Sequence, residues 1–95
     1  MMGAIYGKTT ERAEKQLIEI TNRYERMGIP FEFRQREKVK FINGDIWIAL
    51  SYNTSHVLGR RFNIVYIDCE LSRFARADIK TCLCLPPFTA YNYFW

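Results

Sequence analysis

Six consecutive residues, Phe62-Asn63-Ile64-Val65-Tyr66-Ile67, favour β-structure and show no regular alternation between polar and apolar side chains. A strand with one wet face alternates with a period of two, so a continuous run of this kind belongs at the centre of a sheet. The sequence also supplies a helix to pack on that sheet. Ala13, Leu17, Ile20, Tyr24 and Met27 recur at spacings of four, three, four and three, which draws one apolar stripe over Thr10–Met27. Thr9 or Thr10 is placed to cap this helix, and Glu11 lies near its positive end. Glu14, Lys15, Glu19, Arg23 and Glu25 cover much of the outer side. Gly28 suits the left-handed position that closes a helix, and Pro30 blocks its continuation.

Phe31 to Leu50 reads as extended chain that turns at Asn43-Gly44, the strongest short-range hairpin signal. A two-residue loop there pairs Ile42 with Asp45, Phe41 with Ile46, Lys40 with Trp47 and Val39 with Ile48. Val39, Phe41, Ile46, Ile48 and Leu50 then share one apolar face, and Lys38, Lys40 and Trp47 the other. Ala4-Ile5-Tyr6 reads as an opening strand, Ser51–Arg61 as a polar loop, and Leu71–Ala77 as a short helix. Ile79–Leu85 reads as a further strand, ended by Pro86-Pro87. The tail over residues 88–95 is aromatic, and free exposure of so many apolar side chains is unfavourable. It is expected either to fold back on the core or to bury itself against a partner, a homodimer included. Together these elements predict a single small α/β domain over residues 1–95. Its mixed sheet has five or six strands with an antiparallel hairpin and one main helix packed on it, in two or three layers.

No apolar run approaches the roughly 20 residues needed to cross a bilayer, and the N-terminus lacks the pattern of a signal peptide. A cytoplasmic location is therefore expected, in the host cell if the gene is phage-borne. The cysteines Cys69, Cys82 and Cys84 are odd in number, and a bridge between the near neighbours Cys82 and Cys84 would be strained. With His56 the only histidine, no ordinary zinc ligand set exists, and reduced thiols with no metal and no cofactor are expected. His56 itself has no carboxylate or cysteine partner in a local motif, and no nucleophile–base pair is recognisable.

The net charge of +4 permits an acidic partner without requiring one. Arg34, Arg36, Lys38 and Lys40 stand two apart, with Trp47 beside Lys40. On one continuous strand they form a row of cations that suits a phosphate backbone, and Trp47 could stack on a base. The same row also serves as a solvated outer face that discourages edge pairing. Arg60 and Arg61, with Arg73 and Arg76, extend the basic surface if the fold brings them near.

Taken in chain order, these pieces resemble the ATPase core of phage terminase large subunits and related helicase-like motors. The residues that carry the resemblance are the hairpin at Asn43-Gly44-Asp45, the loop Gly59-Arg60-Arg61 and the apolar strand Ile64-Val65-Tyr66-Ile67-Asp68. Thr81-Cys82-Leu83-Cys84-Leu85-Pro86-Pro87 falls where such motors place a coupling strand. The resemblance implies a vestigial Walker B element at Asp68 and Glu70, whose family counterparts hold Mg²⁺ and polarise the attacking water. Here Cys69 separates the two, so on a continuing strand Glu70 would sit about 6–7 Å beyond Asp68. The phosphate loop is incomplete. Gly3-Ala4-Ile5-Tyr6-Gly7-Lys8-Thr9 ends correctly but has one residue too few between its glycines, and with the sequence starting at Met1 no strand is expected ahead of it.

The resemblance therefore implies a non-catalytic terminase-like or helicase-like remnant of phage or mobile-element origin. Such a remnant would bind nucleic acid, or a nucleic-acid enzyme, through the basic strand face. A small phage-encoded inhibitor or adaptor of the anti-defence type, which blocks a host protein, is the alternative. An ATPase half-site completed by another chain is the third.

Overall fold

The computed structural model describes residues 1–51, 62–83 and 91–95. Strand β1 (Met2–Gly7) is the centre of the sheet, hydrogen-bonded on both sides, and Ala4, Ile5 and Tyr6 are fully buried. Helix α1 (Thr10–Arg26) follows after two residues. It leads to β2 (Phe31–Arg34), β3 (Lys38–Phe41) and β4 (Ile46–Ser51). Beyond the described gap come β5 (Ile64–Ile67), helix α2 (Arg73–Leu83) and β6 (Tyr91–Phe94). The strand order is β2-β3-β4-β1-β5-β6, with β3 antiparallel to both its neighbours and the other pairings parallel. The sheet is thus mixed and six-stranded, and β5 is an interior strand, as its unbroken apolar run requires.

Helix α1 buries Ala13, Leu17, Ile20 and Tyr24 against Ile5, Val39, Phe41, Trp47 and Ala49 on one face of the sheet. Met27, expected to continue that stripe, is instead the C-cap and 62% exposed. Thr9 caps the N-terminus, its hydroxyl accepting from the Arg12 N–H at 3.2 Å. The C-terminus closes in a Schellman arrangement: the Ile29 N–H donates to the Tyr24 carbonyl and the Gly28 N–H to that of Glu25, both at 2.9 Å. On the other face, Leu71, Ala75 and Ile79 pack on Ala4, Tyr6, Ile48, Val65 and Ile67, with Phe62 completing the cluster. The domain therefore has three layers.

Two expectations are overturned. Residues 79–83 belong to α2 and not to a strand. Ala75 and Ile79 stand four apart, so a helix lays both on the sheet beside Leu71, which precedes it, whereas a strand starting at Ile79 would break that pair. The β-prone composition of Ile79, Thr81, Cys82 and Leu83 is outweighed by this burial. Thr81–Leu83 thus cannot serve as a coupling strand, and Cys84–Pro87 lies outside the described residues.

The hairpin register is also displaced by one residue. Gly44, at φ +95°, donates to the Phe41 carbonyl at 3.0 Å, and the Phe41 N–H donates to that of Asp45 at 2.8 Å. The loop is therefore Ile42-Asn43-Gly44, a three-residue turn with a glycine bulge, in place of the two-residue turn the Asn-Gly pair suggests. Lys40 faces Ile46, Val39 faces Trp47 and Lys38 faces Ile48. One extra loop residue turns the strand over. Val39 and Phe41 share their face with Trp47 and Ala49, while Ile46, Ile48 and Leu50 pack on the α2 side.

The C-terminal tail folds back: β6 pairs with β5, and Trp95 packs against the α1 core. No helix among the described residues is long and apolar enough to cross a membrane.

Candidate nucleic-acid interface

The crossover from β1 through α1 runs to β2 at the sheet edge, and β3 and β4 fill the space back to β1 on that side. The connection from β5 through α2 runs to β6 on the other side and over the opposite face. Between β1 and β5 the winding reverses, and in doubly wound sheets a crevice opens there at the carboxyl ends of the strands. Here that crevice is filled from within. Asp68, directly after β5 and fully buried, accepts at Oδ2 from the Lys8 N–H (2.9 Å) and Arg12 Nε (2.5 Å). Its Oδ1 accepts from the second Arg12 nitrogen (2.7 Å) and the Glu70 N–H (3.0 Å). Burial alone would raise the pKa of this carboxyl. The Arg12 hydrogen bonds, the Lys8 and Glu70 N–H groups and the Arg12 charge outweigh burial and hold it down at about 2. The Asp68 hydrogen bond in turn keeps Arg12 charged, its pKa raised despite desolvation.

Glu70 does not continue the strand. The chain turns after Asp68, with the Leu71 N–H donating to the Asp68 carbonyl at 3.1 Å, and brings Glu70 Oε2 to 3.7 Å from Arg12. Asp68 and Glu70 thus share one partner, Arg12. Among the described residues no three His, Cys, Asp or Glu side chains gather as a metal site, and Cys69 is an exposed free thiol.

Gly3 to Tyr6 are strand residues paired with both β4 and β5, and Gly7 is paired with β4, so this segment serves the sheet and not a phosphate cradle. Only Lys8 and Thr9 separate β1 from α1. The turn is so tight that a Cβ on Gly7 would come within 2.6 Å of the Thr9 carbonyl oxygen and 2.7 Å of the Ala13 nitrogen. Glycine at this position lets the helix start against the strand.

The basic row does not form as a row. The chain reverses at Arg36-Glu37, where the Gln35 N–H donates to the Lys38 carbonyl at 2.7 Å. Arg34, opposite Val39, lies on the α1 side, while Lys38 and Lys40, opposite Ile48 and Ile46, lie on the other. Arg34 and Arg36 border a groove of about 440 Å³ floored by Leu17, Ile18 and Val39, and Arg36 sits 3.9 Å from Glu14. Lys40 is 3.7 Å from Glu32. Trp47 is no stacking platform. The corrected register turns it inward to 3% exposure, where its Nε1 donates to the Tyr24 hydroxyl at 3.0 Å.

The sequence reading missed the aromatics that are available. β2 is an edge strand exposed along its whole length, with Phe31 and Phe33 at 40% and 44% exposure. Arg34 lies over the Phe31 ring, 5.8 Å from its centroid. A bulge between Phe31 and Phe33 sets Phe31 opposite Phe41 and Phe33 opposite Lys40, so each face of the edge carries one ring and two of the cations. The alternation Phe31-Glu32-Phe33-Arg34 beside a proline was the signal. Arg12 gave none, because its partner is 56 residues away. Phe74, at 89% exposure on the first turn of α2 beside Arg73, was missed as well. Arg60, Arg61, the loop glycine Gly59 and His56 lie outside the described residues. No protein-family model matches the chain, and no curated protein matches it either.

Proposed function

We propose that this domain is a non-catalytic, terminase-like or helicase-like module that binds single-stranded nucleic acid along the β2–β3 hairpin. The observation that carries the reading is an edge strand whose two phenylalanines stand exposed among Arg34, Arg36, Lys38 and Lys40. Aromatic faces accept any base, and cations beside them neutralise phosphates, which is the usual combination in sequence-tolerant single-strand binders. Glu32 and Glu37 lie in the same segment and leave an excess of two positive charges. The terminase-like part of the reading draws on Asp68 standing against the Lys8 amide at the end of the neighbouring strand. A motor of that class uses the equivalent carboxylate for Mg²⁺. Arg12 bonded to Asp68 instead favours a module without phosphoryl transfer.

Fluorescence anisotropy with labelled single- and double-stranded DNA and RNA at two salt concentrations tests the proposal. Salt-sensitive affinity that weakens in Phe33→Ala and in the double variant Lys38→Ala, Lys40→Ala is the expected result. Absence of salt-sensitive binding removes the nucleic-acid reading.

The unpaired outer edge of β2 favours one second reading, an inhibitor or adaptor that adds this strand to the sheet of a target protein. In that case a single stoichiometric protein partner is recovered from host lysate while oligonucleotide binding is absent. An ATPase half-site completed in trans predicts Mg²⁺-dependent nucleotide binding, lost in Asp68→Ala, only when the second chain is present.

A further inference from the structure

Phe74 is left unused by the hairpin reading, and it is the most exposed large apolar side chain described, at 89%. Its helix is not short of apolar burial, since Ala75 and Ile79 already seat α2 on the sheet. The ring therefore stands in water among polar and small neighbours: Ser72, Arg73, Arg76 and Ala77. Among the described residues the ring has arginines beside it and no surrounding apolar patch of the kind a protein interface uses to exclude water, and a single ring suffices to stack on one base.

Topology connects this ring to the hairpin. β2, β4, β1, β5 and β6 all run the same way, so their carboxyl ends form one rim of the sheet. Along it, in strand order, come the Arg34–Arg36 corner after β2, then Lys8 and Arg12 after β1, then Arg73 and Phe74 after β5. Arg34 and Arg36 sit on the α1 side and Phe74 on the α2 helix, so a line joining them crosses the rim at the switch point. From β2 to β5 is four strand spacings, about 19 Å. Four of the acidic groups near this line lie against cations: Asp68 is buried under Arg12, Glu70 lies 3.7 Å from Arg12, Glu14 3.9 Å from Arg36 and Glu11 4.0 Å from Lys15.

We infer that a bound single strand leaves the hairpin at Arg34 and Arg36, crosses the carboxyl rim over Lys8 and ends with a base stacked on Phe74. The inference depends on the nucleic-acid reading above and specifies the path and polarity-independent length of the bound segment. Its footprint is about 4–8 nucleotides, the lower half of the range for single-strand grooves.

The test uses the full chain and fluorescein-labelled oligodeoxythymidylates of about 2 and about 12 nucleotides, chosen to fall short of and exceed that footprint. Affinity should rise with length. Phe74→Ala should weaken the longer probe roughly tenfold and the shorter one far less, and Phe74→Trp should restore the loss. Arg73→Ala should lower the salt slope for the longer probe by about 0.7. The variants lie on the surface, so unchanged circular dichroism and urea midpoints should accompany these effects. If Phe74→Ala leaves both probes unchanged while hairpin variants weaken both, the path is wrong and the hairpin reading stands. If neither probe binds with salt-sensitive affinity, both fall. A lysate protein retained by the wild type and lost in Phe74→Ala, with oligonucleotide binding unaltered, likewise overturns the path.

Discussion

Replacing Asp68 with asparagine removes the buried acidic group that ties the start of α1 to the end of β5. The native carboxylate accepts from two Arg12 nitrogens and two backbone N–H groups. Asparagine keeps one good acceptor and turns an NH₂ toward groups that are themselves donors. The pKa provides a magnitude. A fall from the ordinary 3.8 to about 2 corresponds to roughly 2 kcal/mol of folded-state preference for the charged form. That is an upper figure, since Arg12 is 36% exposed and its charge is partly screened.

The sign follows from linkage. The folded pKa lies below the unfolded one, so this contribution is fully present above about pH 4 and is lost as pH falls toward 2. Urea denaturation followed by circular dichroism reads both effects. With a slope of about 1 kcal/mol per molar urea, Asp68→Asn should lower the midpoint at pH 7 by up to about 2 M. The gap between wild type and variant should then narrow from pH 4 to pH 2, because other carboxylates titrate alike in both proteins. A midpoint shift below about 0.5 M at pH 7, or a gap that does not change with acid, would refute the assignment of Asp68 as the clamped anion.

Three further outcomes follow from the packing. Gly44→Ala, which forces a side chain onto φ +95°, should cost about 1 kcal/mol in urea melts while leaving the far-ultraviolet spectrum unchanged. Tyr24→Phe leaves the buried Trp47 N–H without its acceptor and should cost about 1–2 kcal/mol. Burial, with Asp45 bonded to its hydroxyl at 2.7 Å, raises the Tyr24 pKa to about 12, so spectrophotometric titration should show a late-ionising phenol whose contribution is lost in Tyr24→Phe. Wild-type stability should correspondingly fall as pH rises from 10 toward 12, where the unfolded phenol ionises and the folded one does not. Ile79→Ala opens a hole beneath α2 and should destabilise by about 2–4 kcal/mol, whereas Phe74→Ala should change stability by less than about 0.5 kcal/mol.

Where information was local, the sequence alone was sufficient. The stripe Ala13, Leu17, Ile20 and Tyr24, the Thr9 cap and the Gly28 stop define α1 because helix period and capping act within a few residues. The run over Ile64–Ile67 required an interior strand, and Asn43-Gly44 required a reversal, for the same reason. What local signals left open, the tertiary structure decided. Whether Asn-Gly closed a two- or three-residue loop changes the local energy little, yet it moves every side chain of one strand to the opposite face relative to its partner. Burial of Trp47 with Val39 and Phe41 under α1 settled it, and that withdrew Trp47 from the surface. The β-prone residues after Ile79 became helix because Leu71, Ala75 and Ile79 gain more by packing together than strand propensity offers. The Arg12–Asp68 clamp and the exposure of Phe31, Phe33 and Phe74 are products of chain positions brought together or left apart by the fold. Propensities differ by tenths of a kcal/mol per residue, while burial and buried charge pairing amount to several, and only the assembled layers determine which side chains receive them.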